Sequence, residues 1–210
     1  MKHMKLFIWD FDGTLLDTYP FITMCLKKAL ADCGYEVDQT EILEKMMVTI
    51  PFAIKHYSEK YRIADLRERY NKYYAGEAEA PVRIFAGIKE VLKRVQEIGA
   101  DNYIFTNRGK TIYPMLEKAG ILEEFREIVT AADPDFVVKP APDTINYLMK
   151  KYGGKPENTV MIGDRSCDLE SGYNAGCRTC HLLTPAVPQY PACDWRIKDF
   201  GEMLKLLSES

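Results

Sequence analysis

The apolar residues of this chain follow two different spacings along its first 82 positions. Residues 5–9 form a nearly continuous apolar run, which is typical of a central strand covered on both faces. Residues 18–82 instead carry apolar side chains at helical spacing, and Pro51 is suited to the first turn of a new helix. The pattern therefore predicts one strand followed by a block of helices.

Strand-like and helix-like segments alternate through the rest of the chain. The predicted strands cover residues 102–106, 126–130, 159–163 and 177–183, and the predicted helices cover 88–98, 110–119, 142–152 and 168–175, before a last strand–helix pair over 195–207. Such alternation indicates an open parallel α/β sheet. Ligands of these sheets bind at the carboxyl ends of the strands.

Composition limits the size of the fold and the class of partner. A chain of 210 residues can form one sizeable core with a smaller inserted domain. Its net charge of −3 gives no reason to expect nucleic acid or an anionic membrane as a partner. The sequence has neither an apolar run near the roughly 20 residues that span a bilayer nor a signal-peptide core. We therefore expect a cytoplasmic protein.

The six cysteines are too few and too scattered for the disulfide framework of a small secreted protein. One stretch, Cys177-Arg178-Thr179-Cys180-His181, matches the C-x-x-C-H pattern of haem attachment. The two cysteines, however, are an odd number of positions apart in a predicted strand, so their sulfur atoms point to opposite faces. We therefore interpret both cysteines as small residues of the core.

A pair of carboxylates follows the first predicted strand. The segment reads Asp10-Phe11-Asp12-Gly13-Thr14. Because strand side chains alternate with a period of two, Asp10 and Asp12 can point to the same side of the chain. A core gains nothing from two unpaired charges at a strand end, whereas a site that holds a metal and attacks phosphorus has a use for both.

Three further segments carry polar residues where the topology brings strand ends together. They read Phe105-Thr106-Asn107-Arg108, Val138-Lys139-Pro140 and Gly163-Asp164-Arg165-Ser166-Cys167-Asp168. In their order and residue types, the four segments together resemble the haloacid dehalogenase-like superfamily, and the resemblance covers nearly the whole chain.

The resemblance implies a fold and a division into domains. Such proteins have a three-layer α/β/α Rossmann-like parallel sheet with an inserted α-helical cap. The catalytic core would comprise residues 1–17 and 83–210, and the cap would comprise residues 18–82. Within the superfamily, these features are similar to those of the subfamily that contains phosphoglycolate phosphatases, pyrophosphatases and β-phosphoglucomutases.

The resemblance also implies roles for the motif residues. Asp10 would attack phosphorus and form an aspartyl-phosphate, and Asp12 would protonate the leaving oxygen and later take a proton from water. Mg²⁺ would be held by Asp10, the backbone carbonyl of Asp12 and Asp164. Asp168 would bind the metal through water or pair with Lys139. The phosphate-binding groups would be Thr106, the backbone N–H of Asn107, and Lys139.

Asp12 narrows the expected activity, because dehalogenases and phosphonatases of the superfamily lack this second aspartate. We expect a Mg²⁺-dependent phosphatase that acts on a small soluble phosphomonoester, similar to phosphoglycolate phosphatase, as a monomer or homodimer. A β-phosphoglucomutase-like phosphotransferase, a pyrophosphatase and a noncatalytic protein that binds a phosphorylated ligand remain as alternatives.

Three more residues are candidates for substrate contacts. Arg108 and Arg165 depart slightly from the common forms of the motifs. Each could grip a second anionic group or could be a surface charge paired with an acidic neighbour. Thr49 lies in the turn 48–52, which matches the substrate-facing loop of the cap in position.

Overall fold

The computed structural model describes residues 1, 3–76, 81–184 and 189–208. These residues form two compact units. The larger unit holds the described residues among 1–17, 82–184 and 189–208, and the smaller unit holds those among 18–81. Among the described residues, no helix is both long and apolar enough to cross a membrane.

The larger unit contains a six-stranded sheet in which every strand pairs parallel to its neighbours. The strands are β1 (Leu6–Trp9), β2 (Asp101–Phe105), β3 (Phe125–Val129), β4 (Thr159–Gly163), β5 (Arg178–Leu182) and β6 (Trp195–Ile197). Their spatial order is β3-β2-β1-β4-β5-β6. The chain therefore winds outward from the centre in both directions, which places a topological switch point between β1 and β4.

Helices connect the strands and also make up the described part of the smaller unit. The smaller unit contains α1 (Tyr19–Ala31), α2 (Gln39–Val48), α3 (Ile50–Tyr61) and α4 (Leu66–Tyr74), and the larger unit contains α5 (Ile88–Glu97), α6 (Ile112–Ala119), α7 (Asp143–Tyr152), α8 (Ser166–Asn174) and α9 (Phe200–Ser208). Pro51 lies in the first turn of α3, as the sequence predicts.

The side chains of β1 alternate between two buried faces, as expected for a central strand. Phe7 and Trp9 pack in one hydrophobic cluster with residues of α5, α6 and α9. Leu6 and Ile8 pack in another cluster with residues of α7. Helices therefore cover both faces of the sheet, and the predicted three-layer α/β/α Rossmann-like fold is confirmed.

The two cysteines of the C-x-x-C-H stretch lie on opposite faces of the sheet. Cys180 belongs to the cluster that contains Trp9, whereas Cys177 belongs to the cluster that contains Ile8. Both side chains are buried. Their prediction as separate core residues is confirmed.

Two predicted helix starts were wrong by two residues. The first helix, α6, begins at Ile112 because residues 109–111 form a turn whose carbonyls accept hydrogen bonds from the next backbone N–H groups. The second, α8, begins at Ser166 instead of Asp168. The Asp168 carboxylate accepts a hydrogen bond from the backbone N–H of Arg165, at 3.0 Å, and so stabilises a helix start ahead of itself.

The smaller unit has its own hydrophobic core. Its largest fully buried side chain is Tyr57, on α3. Thr49 separates α2 from α3 in extended conformation, and its hydroxyl accepts a hydrogen bond from the backbone N–H of Phe52, at 3.0 Å. Thr49 therefore caps α3, which gives this residue a structural function independent of any ligand.

Candidate active site

Asp10 lies at the switch point of the sheet. Its backbone N–H donates to the carbonyl of Ile162 on β4, at 2.8 Å, which continues the pairing of the two central strands by one residue. Asp164 follows β4 directly, so the two aspartates leave neighbouring strands at the same edge. Gly13 has a φ of 77°, a conformation that favours glycine, and turns the chain away after Asp12.

A buried cluster of charges occupies this edge. The ammonium group of Lys139 donates to Asp10 Oδ1 at 2.6 Å and to Asp168 Oδ1 at 2.9 Å. The three side chains are at most 2% exposed. Buried charges are costly unless they are paired and hydrogen-bonded, and this arrangement provides both conditions.

Three carboxylates come close enough together to hold a metal ion. Asp10, Asp164 and Asp168 each offer an oxygen atom, and these atoms lie within 4.8 Å of one another. Asp10 Oδ2 is buried and has no hydrogen-bond partner among the described residues. An unpartnered carboxylate oxygen beside two further carboxylates fits Mg²⁺, which prefers hard oxygen ligands.

The charge states of the cluster follow from its burial and pairing. Burial, together with the charge of Asp168, raises the pKa of Asp10 to about 6 despite the nearby Lys139. Burial opposes the ionisation of Asp168, but Lys139 and Arg165 outweigh it and hold the pKa of Asp168 below its ordinary value. Burial also opposes the charge of Lys139, but Asp10 and Asp168 hold its pKa above the ordinary value. The positive charges near Asp10 therefore do not fully offset its burial and the charge of Asp168.

Several contacts fix the position of Lys139 and Asp168. The side-chain carbonyl of Asn107 accepts a hydrogen bond from the backbone N–H of Lys139, at 2.9 Å. The Lys139 ammonium lies 4.9 Å from the centre of the Phe105 ring. A Cβ atom on Gly163 would lie only 2.3 Å from Cβ of Asp168, so glycine is needed for this helix to approach the end of β4.

Asp12 forms a bidentate ion pair with Arg108. Nε of Arg108 donates to Asp12 Oδ2 at 3.0 Å, and Nη2 donates to Oδ1 at 2.5 Å. The side chains of Arg108 and Asp12 are only 7% and 20% exposed, respectively. The sequence left Arg108 open between a grip on a second anionic group and a surface charge paired with an acidic neighbour. In the structure Arg108 is paired with Asp12, and its side chain is turned inward and is not at the surface.

The remaining predicted residues lie close to this cluster or in the smaller unit. Thr106 is buried, and its hydroxyl accepts a hydrogen bond from the backbone N–H of Arg108, at 3.1 Å. Arg165 is half-buried, and its charge lowers the pKa values of both Asp10 and Asp168. Thr49 belongs to the smaller unit.

Two residues that support Asp164 were missed in the sequence. His181 is fully buried on β5, and its Nε2 lies 2.9 Å from the backbone carbonyl of Asp164. The backbone N–H of Tyr190 donates to the other ring nitrogen at 3.4 Å, so the partners assign the ring proton to Nε2. Thr14 donates its hydroxyl proton to Asp164 Oδ1 at 3.5 Å. A histidine near the carboxyl end of a predicted strand was the available signal in the sequence.

Comparison with known proteins identifies relatives of similar length. A phosphoglycolate phosphatase from Mannheimia succiniciproducens is 27% identical over 98% of this chain and 99% of its own length. Another, from Haemophilus influenzae strain Rd, is 28% identical over 97% of this chain and 98% of its own length.

Solved structures share the fold. The crystal structure of a predicted phosphoglycolate phosphatase from Haemophilus somnus covers 98% of this chain and 99% of its own, with 23% identity and a TM-score of 0.84. The HAD hydrolase YfnB from Bacillus subtilis, described as bound to magnesium, covers 97% of this chain and 98% of its own, with 22% identity and a TM-score of 0.79.

Residues 7–182 match the profile of the haloacid dehalogenase-like hydrolases. This span begins within β1 and ends with β5, and therefore includes all four polar segments that were identified in the sequence. The chain belongs to the haloacid dehalogenase-like hydrolase family.

Proposed function

We propose that this protein is a Mg²⁺-dependent phosphatase of a small phosphomonoester, with phosphoglycolate among the substrates to test first. The observation that carries the proposal is the buried group of Asp10, Lys139 and Asp168 beside Asp164, at the switch point of the sheet. Relatives named phosphoglycolate phosphatase, of nearly the same length, support the choice of substrate class.

Asp10 is the proposed nucleophile. One of its carboxylate oxygens forms a bond to phosphorus while the bond between phosphorus and the leaving oxygen breaks, which gives an aspartyl-phosphate and an alcohol. Asp12 gives its proton to the leaving oxygen in this step. In the second step Asp12 takes a proton from water, whose oxygen attacks phosphorus and releases inorganic phosphate and the Asp10 carboxylate.

Fixed positive charge is needed where the phosphoryl group is transferred. Lys139 keeps its charge in the buried cluster and can face the phosphoryl oxygens while it contacts Asp10. Thr106 and the backbone N–H of Asn107 lie next to each other after β2 and are proposed to donate to the phosphate. Asp168 holds Lys139 in place through its 2.9 Å contact.

A divalent ion would be held by Asp10, Asp164 and the backbone carbonyl of Asp12, with Asp168 outside the direct ligand set. Both Asp168 oxygens already accept hydrogen bonds, from Lys139 and from the backbone of Arg165. When bound, Mg²⁺ supplies positive charge that stabilises the transferred phosphoryl group. Its charge would also counteract burial and the charge of Asp168, which together raise the pKa of Asp10.

A substrate panel tests the proposal. Release of phosphate is measured with Mg²⁺ from phosphoglycolate, pyrophosphate, sugar phosphates, nucleotides and flavin mononucleotide, for the wild type and Asp10→Asn. We expect turnover of at least one phosphomonoester by the wild type and none by the variant. Release from pyrophosphate alone would instead identify a pyrophosphatase, and activation by a sugar bisphosphate would identify a mutase. A folded wild type that is inert toward the whole panel would favour a noncatalytic binder.

A further inference from the structure

We propose that Arg108 is the positioning residue of Asp12: its guanidinium group fixes the orientation in which Asp12 meets the leaving oxygen of the substrate. The inference rests on the proposed function, in which Asp12 protonates that oxygen. It concerns a side chain whose role the sequence left open between a substrate contact and a surface charge.

The ion pair has the geometry of a fixed support. Two donors of one planar guanidinium meet the two oxygens of one carboxylate, at 2.5 and 3.0 Å, and this fork restricts both the position and the rotation of the carboxylate. A flexible surface pair would gain little from such contacts, because solvent and side-chain entropy offset them. The Arg108 side chain is 7% exposed, so solvent competes weakly for this pair.

The guanidinium group is itself held from several sides. The backbone of Arg108 is fixed by its N–H to the Thr106 hydroxyl, at 3.1 Å, and by its carbonyl, which accepts from the backbone N–H of Ala131 at 2.9 Å. Its Cζ atom lies 5.5 Å from the centre of the Phe11 ring, and Nη1 lies 3.9 Å from the sulfur of Met115. These contacts anchor Arg108, and Arg108 in turn holds Asp12.

The fork with Arg108 has to be compatible with the proposed reaction of Asp12. Each carboxylate oxygen has two lone-pair directions, and the fork with Arg108 occupies one on each oxygen. For Asp12 to act as the acid, the second direction on one of these oxygens has to carry the proton that passes to the leaving oxygen. Arg108 thus acts through Asp12 without needing to touch the substrate.

Leaving groups of different basicity separate this role from a general structural one. The measurement is kcat/KM for phosphoglycolate, whose alkoxide must be protonated, and for p-nitrophenyl phosphate, whose phenolate leaves without a proton. This parameter reports steps up to departure of the leaving group. We expect Arg108→Met to lower kcat/KM about 10- to 100-fold for phosphoglycolate, because a positioned acid contributes at least this much. For p-nitrophenyl phosphate we expect kcat/KM to fall less than about threefold.

Matched variants complete the test. Arg108→Lys keeps the charge but not the fork, so we expect it to restore less than half of the lost discrimination. Arg126→Met breaks the 2.5 Å pair between Arg126 and Asp101, which lies away from Asp12, and should leave the ratio of the two substrates unchanged. In an Asp12→Asn background, Arg108→Met should change the ratio no further.

Specific outcomes overturn the inference. Equal losses on both substrates would assign Arg108 a structural role, and a further change of the ratio in the Asp12→Asn background would assign it a direct substrate contact. An unchanged ratio in Arg108→Met, with a strongly changed ratio in Asp12→Asn, would also overturn it while leaving the proposed function intact. A fully active Asp12→Asn would instead contradict the role of Asp12 in the proposed function.

Discussion

The ammonium nitrogen of Lys139 lies 2.6 Å from Oδ1 of Asp10, and both side chains are almost completely buried. The same nitrogen lies 2.9 Å from Asp168, so one cation serves two carboxylates. This sharing keeps Asp10 in place but leaves its second oxygen without a partner among the described residues. The arrangement suits the proposed roles of Asp10 as a metal ligand and as the nucleophile.

Lys139→Met should lower both the activity and the stability. Without the lysine, two buried carboxylates face each other unpaired, and breaking a buried ion pair typically costs about 3–5 kcal/mol of the free energy of unfolding. Loss of one fixed charge at the phosphoryl group should lower kcat about 100- to 1000-fold. Urea unfolding in EDTA and phosphate release with Mg²⁺ check the two effects.

The double variant Lys139→Met/Asp168→Asn serves as the control for the charge cluster. Because it removes one of the two repelling carboxylates, it should regain part of the lost stability but none of the activity. Equal stability of the wild type and Lys139→Met would contradict the pairing described for this cluster.

Asp10→Asn should stabilise the metal-free protein at neutral pH. The pKa of Asp10 is about 6 in the folded state, above its ordinary value of 3.8, so the unfolded chain binds fewer protons than the folded protein between these values. The free energy of unfolding therefore falls as the pH rises through this range, and the penalty is complete above about pH 6. Removing this penalty of about 3 kcal/mol should raise the melting temperature at pH 7.5 in EDTA by up to about 6–12 °C.

The pH dependence of this gain in the melting temperature of Asp10→Asn is the sharper test. It should shrink as the pH falls through about 6 and disappear below about 4, where Asp10 is protonated in both states. Asp135→Asn changes an exposed aspartate and should show no such gain. A destabilised Asp10→Asn at pH 7.5 would mean that the Lys139 contact outweighs burial.

Gly163→Ala should impair the site through Asp168. The added Cβ would lie 2.3 Å from Cβ of Asp168, so the start of α8 must move away and take the partner of Lys139 with it. We expect kcat to fall at least about tenfold, since small displacements in a site can cost this much. Gly76→Ala, where a Cβ meets nothing within 4 Å, is the control and should keep wild-type activity. Unchanged kcat in Gly163→Ala would show that Asp168 is not needed in this position.

Removal of divalent metal should abolish activity. Asp10, Asp164 and Asp168 carry three negative charges against the positive charges of Lys139 and the half-buried Arg165, so the metal-free site keeps an excess of negative charge that repels a phosphate anion. EDTA should stop phosphate release, and excess Mg²⁺ should restore it. At about 100 times its Kd, Mg²⁺ should also raise the melting temperature by about 5–10 °C, and Asp164→Asn should lose most of this shift at the same concentration. Full turnover in EDTA would exclude the proposed mechanism.

Features that depend on a regular pattern were predictable from the sequence. The apolar run before Asp10 indicated the central strand, and the strand over Thr159–Gly163 was predicted to the residue. The four polar segments were predicted to meet because the carboxyl ends of parallel strands share one edge. The contacts between Asp10, Lys139 and Asp168 connect three of these segments.

Features that depend on side-chain direction were not predictable. Arg108 and Asp12 are 96 positions apart, and nothing in the spacing of either segment indicates that their side chains meet. The contact of His181 with a backbone carbonyl depends on the register of β4 and β5, in which Gly163 lies opposite His181. The need for glycine at position 163 follows from the close approach of α8 and not from a turn.

The central claim is that Asp10 carries the phosphoryl group, and chemical trapping tests it most directly. The enzyme is mixed with phosphoglycolate and Mg²⁺, quenched within the first turnover, treated with borohydride, and analysed by peptide mass spectrometry. Borohydride reduces an aspartyl-phosphate to homoserine, so we predict homoserine at position 10 in the complete reaction and aspartate at that position without substrate. Release of phosphate with no modified residue at position 10, or with homoserine at another aspartate, would contradict the claim.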